Sequence, residues 1–386
     1  MATDVKGDRA FYDRIQSIVH DASINTGLAL GSQLGLFKAI TQLKQPFTPE
    51  DLAKASDCKT LYIRQWLLLL TASDIIEMVD SEAKTFRLAP ERFAALTSQL
   101  SAVQHSSPYV AFYSSKVPEL TKVFQTDGPK SVSDWGYMTE LWQKGRKTVF
   151  ETILKPIIRQ IPGLEEKLEV GARVLDMGCN RGVLCYLIAD FYPKCVITGA
   201  DPDKDAIEAA WKDVQTSGSK INFEVQNAMK LPEDWSNQFD YVITVNALHH
   251  FEDAAKGMGE IFRVLKPLGW FSGIEFNIDA DVSRMVKQKG SVAHYCFELL
   301  MKGKHAPSDE FDHKMEGDHH HGDGGHHHGD EGHHHGDGGH HHHHHGPTDF
   351  QRMTKAIEDG GFKDVKKLEI PQVEFMEEIH LHAQKL

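Results

Sequence analysis

The run Val174-Leu175-Asp176-Met177-Gly178-Cys179-Asn180-Arg181-Gly182 sets a carboxylate two residues ahead of one glycine and six ahead of another. Glycines at a turn let backbone approach a ligand closely and take positive φ without a Cβ clash. A second acid, Asp201, ends Gly199-Ala200-Asp201 and stands 23 residues after Gly178. A carboxylate so spaced can accept both hydroxyls of an adenosine ribose, and this much fits a nicotinamide site nearly as well. Three details argue against a dinucleotide. The loop is G-x-x-x-G rather than G-x-G-x-x-G, and Asp176 would repel a pyrophosphate while suiting a ligand with an ammonium and a sulfonium. Asn227-Ala228-Met229 offers a side-chain oxygen and backbone amides to an adenine edge. Phe262-Arg263-Val264-Leu265-Lys266-Pro267-Leu268-Gly269 reads as a turn leading into a further strand.

The elements that must hold these residues alternate. Short apolar strands are predicted at 173–177, 196–200, 221–226, 241–245 and 270–276, with helices such as 205–214 and 254–265 between them. Strand–helix alternation implies a parallel sheet with helices on both faces, and ligands of such sheets bind outside the carboxyl ends of the strands. A helix at 347–359, stopped by Gly360-Gly361, and strands at 365–370 and 376–385 close the unit. His249 and His250 follow the fourth strand directly, where an imidazole could move a proton near neutral pH.

Taken together, VLDMGCNRG (174–182), GADPD (199–203), QNAMKLP (226–232), FDYVITVNALHHFED (239–253) and FRVLKPLGW (262–270) resemble the class I S-adenosylmethionine-dependent methyltransferases. The resemblance covers about 171–276 and 347–386 and implies an α/β, Rossmann-like fold with S-adenosylmethionine as cofactor. It implies that Asp176 and Gly178 hold the methionine end, Asp201 the ribose, Asn227 and Ala228 the adenine, and that Asn246 lines the methionine side through its backbone. Cys179, Asn180, Gly182 and Pro202 complete the implied cofactor-binding set. Asn180 and Leu268 stand where the family favours glycine, and Asn227 where aspartate is common. Asn is the non-glycine residue most at ease in left-handed backbone. In small-molecule O-methyltransferases of the caffeate type a histidine just after this strand is the base. That alignment implies His249 as the base, with His250 beside it and Asp253 as the downstream acid, against the plainer reading that the His pair positions a loop.

The N-terminal part carries a different pattern. Thr48-Pro49-Glu50-Asp51 is a capped helix start, 61–70 a second helix, and 75–79 with 85–88 a hairpin around a polar turn. Helix, turn, helix, hairpin is the winged-helix order, and it resembles the dimerisation domain of such O-methyltransferases. Residues 1–100 hold 11 basic and 12 acidic side chains, and the helix that would read DNA offers only Lys59 and Arg64. Phosphate binding needs clustered cations, so a homodimer is expected rather than a nucleic-acid complex. The predicted units are 1–105 (winged helix), 106–170 (helical connector) and 171–386 (the Rossmann-like domain), the last interrupted by an insert at 277–346. Within that insert, Met285, Val286, His294, Tyr295, Phe297, Leu299 and Leu300 suggest one amphipathic helix closing over an acceptor pocket. Trp135, Tyr137 and Trp142 could cover the same pocket.

Residues 317–346 repeat Gly, Asp and His, with 15 histidines among the 27 residues from His319 to His345. Without apolar residues this tract is expected to be disordered; it could chelate Zn²⁺, Ni²⁺ or Cu²⁺ adventitiously or act as a spacer, with no catalytic metal. Net charge is −13, from 42 Lys+Arg against 55 Asp+Glu, a sign that repels nucleic acid. The 24 histidines outnumber that excess, so charge should swing as pH falls through about 6.5. No apolar run approaches a membrane span, no secretory leader is visible, and five cysteines without framework spacing read as reduced thiols, which points to the cytoplasm. The leading reading is a methyltransferase acting on a small-molecule O, N or S nucleophile. The alternatives are a non-catalytic regulatory or sensor protein with a degenerate pocket, and a metal-buffering protein.

Overall fold

Local capping signals and glycine spacing set the N-terminal unit. In the computed structural model, which describes residues 9–133, 136–217, 221–279, 281–288, 290–305, 349–370 and 378–386, it comprises α1 (Arg9–Gln33), α2 (Leu36–Gln42), α3 (Pro49–Ser56), α4 (Thr60–Ala72) and the hairpin β1 (Glu77–Asp80) and β2 (Thr85–Arg87). Thr48 and Asp51 form a reciprocal capping box, each side chain accepting from the other's amide and so satisfying two of α3's orphan donors. Leu52, Leu67, Leu70, Phe37 and Phe86 close the core beneath the hairpin. At Gly31 a Cβ would stand 2.3 Å from the Phe37 ring and 2.8 Å from Trp66, so only glycine lets α1 pass this close.

The connector holds α5 (Phe93–Thr97), α6 (Ala102–Ser115), α7 (Val117–Val123), α8 (Gly136–Arg159) and α9 (Leu164–Val170). The boundary expected at 105/106 falls inside α6. There α1 and α6 are tied reciprocally, Asn25 Nδ2 donating to Ser107 O (3.1 Å) and Ser107 Oγ to Asn25 O (3.3 Å). The helix therefore runs through that position without a break.

The remaining strands are β3 (Arg173–Met177), β4 (Val196–Asp201), β5 (Ile221–Val225), β6 (Phe239–Val245), β7 (Leu265–Phe276), β8 (Lys363–Leu368) and β9 (Glu378–Gln384). They make one sheet in the order β5-β4-β3-β6-β7-β9-β8, parallel through β7, with β9 antiparallel to both of its neighbours. Its helices are α10 (Val183–Phe191), α11 (Lys204–Ser217), α12 (Ala254–Val264), α13 (Val282–Met285), α14 (Ser291–His305) and α15 (Phe350–Asp359). Alternation along the strands divides two cores. Val174, Ile243 and Ile274 face α8 and α10, whereas Leu175, Val242 and Phe271 face α12 and α15. The chain runs from β3 outward to β5 and then returns to β6 on β3's other side, which opens a switch-point crevice at the carboxyl ends of β3 and β6.

Two expectations need correction. β7 begins at Leu265 rather than at 270, because Leu268 takes left-handed backbone (φ 63) and donates its amide to Lys385 O (2.7 Å). The predicted turn is thus a kink inside the strand. Among its described residues the insert holds two helices, not one: Met285 is buried in α13 and Leu300 in α14, while Val286, Tyr295 and Leu299 are exposed. The histidine tract and Trp135 lie outside the described residues.

Candidate active site

The loop after β3 is shaped by three left-handed residues, Gly178 (φ 83), Asn180 (φ 50) and Gly182 (φ 77). A Cβ at Gly178 would sit 2.5 Å from that of Ala247, and one at Gly182 would sit 2.3 Å from the Phe223 ring. The amides of Gly178 and Cys179 both donate to Ala200 O (2.7 and 3.1 Å), pinning the loop to β4. Asp201, at the end of β4, accepts from the Asn180 amide (2.8 Å) and the Asp203 amide (2.9 Å). Each of its oxygens keeps a lone pair, so a carboxylate in this setting can still accept from a diol. Burial raises its pKa despite those bonds. Pro202 is exposed beside it, and Asp203 caps the next helix through the amides of Asp205 and Ala206.

Asp176 lies beneath the loop rather than on its open side. It is buried, and Cys185 Sγ on α10 donates to it (3.3 Å). Desolvation pushes its carboxyl up to about 7, with the Cys185 bond and the Arg146 charge opposing. Asn227 is exposed and spends its side-chain oxygen on the Met229 amide (2.9 Å) in its own turn, while Ala228 is buried. Asn246 takes φ 49, and its amide donates to Ile274 O (2.7 Å); its buried Oδ1 has no partner among the described residues.

One acid organises the crevice mouth. Glu275, fully buried at the end of β7, accepts from the amides of Ala247 (2.9 Å) and Leu248 (2.7 Å) and from His249 Nδ1 (2.7 Å). A carboxylate on Nδ1 fixes the tautomer and leaves Nε2 as the ring's acceptor. The exposed His250 ring lies 4.0 Å from that of His249, centroid to centroid, tilted by 48°. Asp253, expected as the downstream acid, instead caps α12 by accepting from the Lys256 amide (2.9 Å). Sequence reasoning missed Glu275, although a lone acid within Trp270-Phe271-Ser272-Gly273-Ile274-Glu275-Phe276 was a visible signal. It also missed Glu378 at the start of β9, a carboxyl that burial pushes up to about 7 and that the Asn246 side chain contacts.

Comparison with known proteins bears on this geometry. Residues 168–320 match the family profile described as a methyltransferase domain, and residues 22–98 match the Rv2258c-like winged HTH domain. This chain carries a methyltransferase domain behind a winged helix. The methyltransferase region is similar to the ubiquinone biosynthesis O-methyltransferases of Thiobacillus denitrificans (28% identical over 137 residues, 35% of this chain and 56% of that one) and Coxiella burnetii (27% over 167 residues, 42% and 67%). The chain thus spans between 56% and 67% of the length of these curated relatives. Its fold is that of human N-acetylserotonin methyltransferase solved with SAM (TM-score 0.57, 14% identity, 99% of both chains). Mitomycin 7-O-methyltransferase MmcR shares it as well (TM-score 0.57, 14% identity, 97% of this chain and 98% of that). The methyltransferase domain and the winged helix are therefore parts of one architecture that extends through the connector.

Proposed function

We propose that the chain is an S-adenosylmethionine-dependent methyltransferase acting on a small-molecule O, N or S nucleophile. The observation that carries this reading is the Glu275–His249 pair at the mouth of the crevice, beside a loop too tight for side chains at Gly178 and Gly182. The residues present fit the cofactor. Among the described residues nothing donates to the buried Asn246 Oδ1, which an ammonium could do, and Asp201 keeps lone pairs for a ribose. When bound, the cofactor supplies an electrophilic methyl on a sulfonium. Gly178, Cys179, Asn180 and Gly182 then form its cradle, with Asp176 below, Pro202 at the ribose side, and the Asn227–Ala228 turn at the base. His249 Nε2 takes the acceptor's proton, and the Glu275 carboxylate stabilises the imidazolium that results. The His250 ring lies beside that of His249, tilted against it.

Oxygen is the first acceptor atom to test, because the named relatives are O-methyltransferases. A homodimer is supported by the exposed apolar stripe Phe11, Ile15, Ile18 and Val19 on α1 and by Leu61 and Tyr62 on α4. On α4, Arg64 is ion-paired to Glu50 (2.9 Å), which leaves little free cation for a phosphate backbone. The histidine tract is proposed to bind Zn²⁺, Ni²⁺ or Cu²⁺ loosely, and the cytoplasm is the proposed compartment. Among the described residues no helix is long and apolar enough to cross a membrane. The sensor reading leaned on Asn180, Asn227 and Leu268. Asn180 and Leu268 both adopt the left-handed backbone a glycine would, so the case for a degenerate loop weakens. The deciding experiment is a screen of methyl transfer from S-adenosylmethionine over a metabolite panel. Product formation is expected, and binding of cofactor with no product from any acceptor would favour the sensor.

A further inference from the structure

β7 ends and β9 begins at the crevice rim, and each brings an acid there. In β7, Phe271 faces α12 and α15, so by alternation Glu275 does too, and there it holds His249. β9 pairs with β7 in the register Ile274↔His380 and Phe276↔Glu378. Ile274 packs in the core under α8 and α10, and the His380 ring meets Ser272 Oγ at 3.1 Å. Glu378 therefore belongs to the opposite face from Glu275. β6 continues the same row, since Val245 lies level with Ile274 and Asn246 follows it. The Asn246 backbone is fixed, at φ 49 and with its amide on Ile274 O (2.7 Å). Its side chain reaches across the end of β7 to hydrogen-bond Glu378. A carboxylate only accepts, so that bond uses Nδ2 and turns Oδ1 the other way. The buried Oδ1 has no partner among the described residues.

We infer that Glu378 is a positioning residue of the cofactor site: by holding Asn246 Nδ2 it presents Asn246 Oδ1 to the ammonium of the cofactor's amino-acid end. The inference rests on the cofactor reading above and deepens it. The two ends of a primary amide have nearly the same shape, and only their hydrogen-bond partners decide which one faces the crevice. Without Glu378 the amide can turn over, and its NH₂ would then oppose an ammonium, donor against donor. The two acids at the rim have parallel tasks. Glu275 fixes the tautomer of His249 on one face, and Glu378 fixes the amide of Asn246 on the other. A residue from the strand beyond the insert thus completes a site otherwise built ahead of it.

The test is calorimetry on the full chain at pH 8 with two probes. Burial pushes the Glu378 carboxyl up to about 7, so at that pH it is chiefly an acceptor. S-adenosylhomocysteine carries the amino-acid end; methylthioadenosine keeps the nucleoside and sulfur but lacks it. Asn246→Gly, which keeps the left-handed backbone, should weaken S-adenosylhomocysteine roughly 10- to 100-fold, the range for a lost hydrogen bond to a charged group. Glu378→Leu should weaken it roughly 5- to 30-fold and leave methylthioadenosine unchanged, which also reports a folded variant. Glu378→Gln, able to accept from Nδ2 or donate to Oδ1, should fall between wild type and Glu378→Leu. In the Asn246→Gly background Glu378→Leu should add no further loss, since the acid acts through the amide. Additive losses would mean that Glu378 acts independently of Asn246, and equal losses on both probes would mean a general distortion of the rim; either overturns the inference. Full S-adenosylhomocysteine affinity in Asn246→Gly would overturn it too, with the cofactor reading intact. If the wild-type chain bound neither probe, that reading itself would fall and this inference with it.

Discussion

A histidine can serve as a base only if something decides which of its nitrogens is free. Here that is Glu275, whose two oxygens meet His249 Nδ1 and the amides of Ala247 and Leu248. His249→Ala should slow methyl transfer by roughly 10²–10⁴-fold if the ring is the base, and an unaffected rate would point to an acceptor already ionised. Glu275→Gln should also lower the rate, because the amide cannot stabilise an imidazolium as the carboxylate does. Methyl-transfer rates of the two variants check both statements. Asp176 makes a separate prediction about stability. Its carboxyl titrates at about 7 when folded and at 3.8 in model compounds. The folded state must ionise it without water, so its contribution becomes progressively less favourable as pH rises from 3.8 to about 7 and is constant above. Asp176→Asn should therefore raise Tm at pH 8 more than at pH 4, and thermal melts giving equal shifts at both would contradict the assignment.

At the scale of elements, backbone conformation decides what sequence comparison leaves ambiguous. Leu268 is 62% exposed and held at φ 63, so its side chain contributes little packing while its backbone is strained. Leu268→Gly should stabilise the fold by roughly 0.5–1 kcal/mol, the left-handed penalty less glycine's extra chain entropy. A denaturation midpoint that falls instead would mean the Leu268 side chain has a partner after all. The α1 stripe makes the second prediction. Phe11, Ile15, Ile18 and Val19 are exposed along one helix flank, a costly arrangement for a surface with no partner. Ile15→Asp should shift sedimentation from dimer to monomer with the far-UV spectrum preserved; an unchanged sedimentation coefficient would place the interface elsewhere.

At the scale of the molecule, the histidine repeat makes its own prediction. Residues 317–346 contain no apolar side chain. Deleting it should remove most of the chain's zinc capacity while leaving S-adenosylhomocysteine affinity intact. Unchanged zinc uptake would sink the metal-binding proposal. The chain's net charge of −13 and its 24 histidines make solubility and self-association depend on pH near 6.5, independently of the titrations in the crevice.

The order of strands and helices in the second half, the capped start of α3 and the loop between Gly178 and Gly182 were all legible in the sequence. Each depends on local patterning: periodicity of apolar residues, a capping box, and glycines where a Cβ cannot fit. Asp201, Asn246 and His249 could be assigned to strand ends for the same reason. What only the tertiary structure decided were contacts across long separations. Glu275 meets His249 from a neighbouring strand, displacing Asp253, which turned out to be a helix cap. Glu378 comes from the last strand, where the Asn246 side chain contacts it. Asp176 was readable as an acid at the loop, but not as a buried one, since burial is set by the α10 packing that brings Cys185 against it. Spacing in the chain fixes which side chains share an element's face; which faces then meet depends on how the layers pack, and the partners of His249 were determined there.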